Sequence, residues 1–183
     1  AIGFEAAKSN NADVDNFIAI GQEAGKTNQG ANAIAIGYEA GSSNQSTNAV
    51  AIGDSAASED QGDHSVALGP QSGYQTQGDE CIAIGREAGF AVQANKAIAI
   101  GKFAGRINQG LECVAIGESC GTISQGTRAV AIGSYAGYTA QPSNAICIGN
   151  QNWHWMVWVD ICLRWLRSHA LGIAMRPINK VNQ

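Results

Sequence analysis

Side chains able to do chemistry are few here, and badly spaced for it. The chain has three histidines, His64, His154 and His169, and five cysteines, Cys81, Cys113, Cys120, Cys147 and Cys162. No Cys-x-x-Cys pair occurs and the histidines have no ligand spacing, so neither a metal site nor a cofactor is expected. The serines are scattered, with no His and Asp set to activate one, so no catalytic residue is expected either. The Gly-Gly-x-Gly-x-Asp calcium nonapeptide is absent. Regular Thr-x-Thr columns of the kind suited to ice are missing too, since the column through Thr27 continues as Ser43, Glu59, Gln75, Ala91 and Ile107. Asn44-Gln45-Ser46 is a single glycosylation sequon, a short match that matters only in a secreted chain.

The residues that do recur with strict spacing are structural. Gly21, Gly37, Gly53, Gly69, Gly85, Gly101, Gly117, Gly133 and Gly149 mark units of 16 residues, and Gly3 precedes Gly21 by 18, a two-residue insertion. The consensus unit is Asn-Ala-Ile-Ala-Ile-Gly-x-x-Ala-Gly-x-x-Asn-Gln-Gly-x. Within it, a run such as Ala33-Ile34-Ala35-Ile36 alternates with period 2, so the two residue types face opposite sides of a short strand. Glycine ends the strand, and Asn44-Gln45-Ser46 reads as a turn. Helix is disfavoured, because each interior Gly costs about 1 kcal/mol relative to Ala. One strand per unit, repeated in register, predicts an all-β fold: a parallel β-solenoid with one 16-residue unit per coil, about ten coils over residues 1–150.

Stacked coils place equivalent residues about 4.8 Å apart. One expected core column is Ile20, Ile36, Ile52, Leu68, Ile84, Ile100, Ile116, Ile132 and Ile148. A second passes through Ile18, Ile34, Val50, Val66, Ile82, Ile98, Val114, Val130 and Ile146. Both are expected to be buried, so that Ile84→Asp would disrupt its coil. A third column, Gln29, Gln45, Gln61, Gln77, Gln93, Gln109, Gln125 and Gln141, has no exception and predicts an amide ladder along the axis. Cys81 and Cys113 share a column two coils apart, roughly 9.6 Å on that rise, too far for a disulfide. Cys120 and Cys147 stand where small residues recur. Such cysteines fit a reducing assembly compartment better than an oxidising one.

The strand is apolar on both faces, whereas a 16-residue coil has one interior. The second face needs cover, and a long repetitive stripe is matched best by a copy of itself on a parallel axis. Which face turns toward that axis, Ile or Ala, is left open by the sequence.

Residues 1–149 resemble the Asn-Ser-Val-Ala-Ile-Gly repeats in the heads of trimeric autotransporter adhesins, the YadA-like family. They are similar also to repeats in fibre proteins of phages and large DNA viruses. The resemblance implies a left-handed β-roll, a homotrimer about 45–50 Å long on the coil rise, and attachment to a host surface receptor or matrix. It implies placement on a virion fibre or a bacterial cell surface. The units depart from that family in being 16 residues long, not 14, and in containing cysteine. The hexad Ile-Gly-x-x-Ala-Gly is similar to the repeats of left-handed β-helix acyltransferases, but one hexad per unit and no coil-edge histidine base argue against an enzyme. A ligand-binding solenoid remains the alternative. The outward pairs, such as Tyr38-Glu39, Arg86-Glu87 and Lys102-Phe103, are mixed and favour a fibre.

Composition agrees with this division. The 183 residues carry a net charge of −4, with 23 Gly and only 3 Pro, which excludes collagen and offers no electrostatic footprint for nucleic acid. After residue 150 the composition changes: all four Trp lie there, with Arg164, Arg167, Arg176 and Lys180 against Asp160 alone. Trp155, Trp158, Cys162 and Trp165 form a short stripe with 3, 4, 3 spacing, interrupted by charge, so no membrane insertion is expected. Residues 151–183 are expected to be a cap or a trimerising neck, the third option being a segment foreign to the repeats. No signal peptide is visible.

Overall fold

The structure is a computed structural model that describes residues 1–9 and 16–150. The expected cap or neck over 151–183, with Cys162, lies outside the described residues.

Alternating small and β-branched residues form three-residue strands at Ile18–Ile20, Ile34–Ile36, Val50–Ile52, Val66–Leu68, Ile82–Ile84, Ile98–Ile100, Val114–Ile116, Val130–Ile132 and Ile146–Ile148. These pair in parallel, in that order, as a nine-stranded sheet. The register never slips: Ile34 lies opposite Val50, Val66 opposite Ile82, Val130 opposite Ile146. A second sheet of five parallel strands is built from Asp60–Gln61, Thr76–Gln77, Val92–Gln93, Ile107–Gln109 and Ile123–Gln125. Together they make a β-solenoid, with no helix among the described residues.

Nine strands at 16-residue intervals bound eight full turns, and the bridge Ile2↔Ile20 begins the stack at the N-terminal end. The ten glycine markers thus overcount the coils, because they number strand ends rather than turns. Ser9 still pairs with Thr27 at the offset of 18, whereas Ile18 already pairs with Ile34 at 16. The two inserted residues therefore fall between Ser9 and Ile18.

The glycine after each strand is a steric requirement. Gly37 has φ +132°, and a Cβ there would lie 2.4 Å from the carbonyl oxygen of Gly53 in the next coil. Neither the dihedral nor the gap admits a side chain.

The core assignment is reversed relative to the sequence expectation. The interior is lined by Ala19, Ala35, Ala51, Ala67, Ala83, Ala99, Ala115 and Ala131, fully enclosed, with Cys147 completing that column. Ile20, Ile36, Ile52, Leu68, Ile84, Ile100, Ile116, Ile132 and Ile148 lie outside the coil, either half-buried or exposed. The column through Ile34 lies outside as well. The cause is volume. A Cβ placed on Gly89, across the interior, would sit 3.4 Å from the Cβ of Ala83, already van der Waals contact. A coil this flat closes around methyl groups; a branched four-carbon side chain would force it open.

Candidate interaction surfaces

The interior is finished by the glutamines. Each of Gln29, Gln45, Gln61, Gln77, Gln93, Gln109, Gln125 and Gln141 is at most 4% exposed, so each carboxamide must find partners inside. Gln45 Nε2 donates to Gln61 Oε1 at 3.0 Å and, back across the coil, to the Ile34 carbonyl at 2.9 Å. The same axial bond joins Gln29 to Gln45, Gln61 to Gln77, Gln77 to Gln93, Gln109 to Gln125 and Gln125 to Gln141. All run in one direction, amide toward the C-terminal coil. The ladder breaks once: Gln93 Nε2 donates to the Ile82 and Ala97 carbonyls, and Gln109 Oε1 is buried with no hydrogen-bond partner.

The cysteines complete this interior. Cys81, Cys113, Cys120 and Cys147 are buried free thiols. Cys81 Sγ donates to the Ala94 carbonyl at 3.0 Å and Cys113 Sγ to Gly126 at 2.7 Å. Ser65, in the same column, donates likewise to Gly78 at 2.6 Å. Sequence reasoning took these cysteines as plain small residues and missed the donor role they share with serine. Burial pushes the Cys81 thiol up to about 11 and the Cys120 thiol up to about 12. Such thiols are poor nucleophiles. His64 stands on an outer corner at φ 57°, its Nε2 3.2 Å from Asn48 Nδ2.

Outside the coil, two surfaces stand out. The first is the outer face of the nine-stranded sheet, carrying the two Ile/Val/Leu columns side by side. With nine strands it runs about 40 Å. Two columns of side chains make it about 10 Å wide, on the order of 400 Å² of apolar stripe, within the range of the largest patch that ordinary monomers expose.

The second is the corner that follows this sheet. Phe4, Tyr38, Tyr74, Phe90, Phe103, Tyr135 and Tyr138 all follow the strand-ending glycine of their coil by one, two or five residues. Near the N-terminal end its charges balance: Lys26 Nζ lies 2.8 Å from Glu5 Oε2 and 2.9 Å from Glu23 Oε2, and Lys8 also pairs with Glu5. Hydrogen bonds from Lys26 hold the Glu5 and Glu23 carboxyls below the usual range and raise the Lys26 ammonium in turn. In the central coils the balance differs. Tyr74 and Phe90 stack at 5.1 Å and 7°, and the Arg106 guanidinium lies 5.1 Å from the Phe90 centroid. The nearly buried Glu87 is shared by Arg106 at 2.7 Å and Arg86 at 3.4 Å. The sequence pairs read as mixed because three-dimensional stacking across coils is not visible in adjacent residues.

No protein-family model, curated protein or solved structure matches this chain.

Proposed function

We propose that this chain is a structural module of a fibre or adhesin-like surface appendage, a homotrimer whose parallel solenoids turn their Ile/Val faces toward a common axis. The observation that carries the reading is the outer face of the nine-stranded sheet. Its exposed aliphatic side chains keep about two-fifths of their surface in water, as at Ile20 39%, Leu68 41% and Ile132 38%, while the other members of the two columns are half-buried. Fully burying such a side chain is worth about 1.5–3 kcal/mol, so covering the remainder gives about 0.6–1.2 kcal/mol for each exposed residue. The seven exposed residues of the two columns then supply about 4–8 kcal/mol per chain, with a smaller share from the eleven half-buried ones, against an association cost of about 4–15 kcal/mol.

A second copy suits this stripe because it presents the same residues at the same rise, so every coil meets its equal. Three-fold order comes from the family resemblance. A thin rod with a rigid amide-laddered interior suits a spacer or attachment element better than a catalyst. Attachment to a host surface or matrix is part of the same proposal.

Light scattering at micromolar concentration tests it. The parent is expected at three times the chain mass, and Ile84→Asp, at the centre of the stripe, at the mass of one chain with its strand signal retained. A parent that stays monomeric would remove the support for this reading.

A further inference from the structure

We propose that the corner formed by Arg86, Lys102, Phe103 and Arg106 is a binding site for an acidic saccharide, taking its sulfate or carboxylate between the three cations. Three positive groups converge on one ring. Arg86 Cζ lies 5.4 Å, Lys102 Nζ 4.9 Å and Arg106 Cζ 5.7 Å from the Phe103 centroid. The ring's electron-rich face attracts each of them. Against one another they repel, and two carboxylates compensate the three of them only in part.

Glu87 lies beneath, only 8% exposed, and is shared by two guanidiniums. The other carboxylate at hand, Glu118, is 51% exposed and holds Lys102 loosely at 3.4 Å. One formal positive charge is left over, on a chain whose net charge is −4. Arg86 and Lys102, with side chains 59% and 48% exposed, point the excess outward.

The site is held in place from inside. Glu87 orients Arg106 and Arg86, while Phe90 and Phe103 support the guanidinium planes. Phe103 itself adopts φ 61°, a left-handed conformation that bulky side chains avoid. An anion bridging Arg86 and Lys102 would make charge-assisted hydrogen bonds to already oriented donors.

A saccharide fits better than a nucleic acid. Phe90 has Tyr74 stacked on it and Arg106 over its ring, so no free face of Phe90 is offered to a base. Tyr74, and Val92 at 43% exposed two residues after Phe90, instead give apolar surface for the C–H groups of a sugar.

Binding of four probes to the full chain tests this: a sulfated tetrasaccharide, a tetra-uronate, inorganic sulfate and an oligothymidylate. The first or second is expected to bind best. The double variant Arg86→Ser with Lys102→Ser should weaken it about tenfold or more, as loss of hydrogen bonds between charged groups does. The control Lys96→Ser with Arg128→Ser, which changes net charge equally on another corner, should leave it unchanged. Equal loss in both variants would show diffuse electrostatics and overturn the site. So would inorganic sulfate or oligothymidylate binding as tightly as the saccharides, or no saccharide binding by the parent at all. Mass is recorded for each sample, so that failure to bind is separated from failure to associate.

Discussion

Replacing Gln77 by Glu changes one buried NH₂ into an oxygen, with almost no change of shape. Gln77 is 1% exposed. Its Nε2 donates to the Val66 carbonyl at 3.0 Å and to Gln93 Oε1 at 3.1 Å, and its Oε1 accepts from Gln61 at 3.1 Å. A protonated carboxyl keeps one donor and loses the other, which costs about 1–3 kcal/mol. An ionised carboxyl keeps none and faces two acceptors from inside the coil, so the cost rises to about 3–5 kcal/mol. Burial favours the neutral acid and raises the folded-state pKa above the unfolded value of about 4.3. Between those two values the folded state binds more protons than the unfolded one, so stability falls as pH rises. Gln77→Glu should therefore lie closest to the parent at or below about pH 4.3 and diverge from it as pH rises toward neutrality. Urea unfolding of both proteins across that range measures the gap. A gap that does not widen with pH, or that stays below about 1 kcal/mol at neutrality, would refute the ladder as a buried, mutually satisfied network.

Three further outcomes test the interior. Ala83→Leu puts three carbons where none fit and should cost about 1–3 kcal/mol, lowering the melting temperature by roughly 2–12 °C without changing the oligomer mass. Gly37→Ala places a Cβ 2.4 Å from the Gly53 oxygen at φ +132°; a loss of about 3 kcal/mol or more is expected by thermal unfolding. Thiol titration should find Cys81, Cys113, Cys120 and Cys147 slow to react in the folded protein at pH 8, and all five cysteines free once it is denatured.

Much of this fold was legible because its repeat is strict. Glycine at 16-residue intervals gave the coil length and register, and the alternation in Ala33-Ile34-Ala35-Ile36 separated the two faces correctly. It did not say which face is inside. Hydrophobicity ranks Ile above Ala for burial, and that ranking misled because it carries no information on interior width. The deciding residues were elsewhere in the unit. Gln45 and Gly41 face Ala35 across the coil, and a Cβ on Gly41 would lie 2.6 Å from Gln45 Oε1. An interior whose residue beside the carboxamide is glycine, or at most the alanine of Ala57, cannot also hold isoleucine. The central cationic corner was hidden for a different reason: Tyr74, Phe90 and Arg106 meet only when the coils are stacked.

The inverted placement alters where the stability of this protein comes from. An interior of methyl groups and carboxamides gains little from the hydrophobic effect per residue, and its order rests on backbone bonds between coils and on the glutamine ladder. The larger aliphatic side chains, those with most to gain from leaving water, stand on the outer face. They pack against neighbours of the same column, yet the burial of each is incomplete. The solenoid therefore specifies its geometry through hydrogen bonds and close backbone approach, while its largest unspent hydrophobic term is available only to a partner surface. Intrachain order and the proposed association fall to different residues of the same strand: Ala83 holds the coil closed, and Ile84, next to it, faces outward and is half-buried.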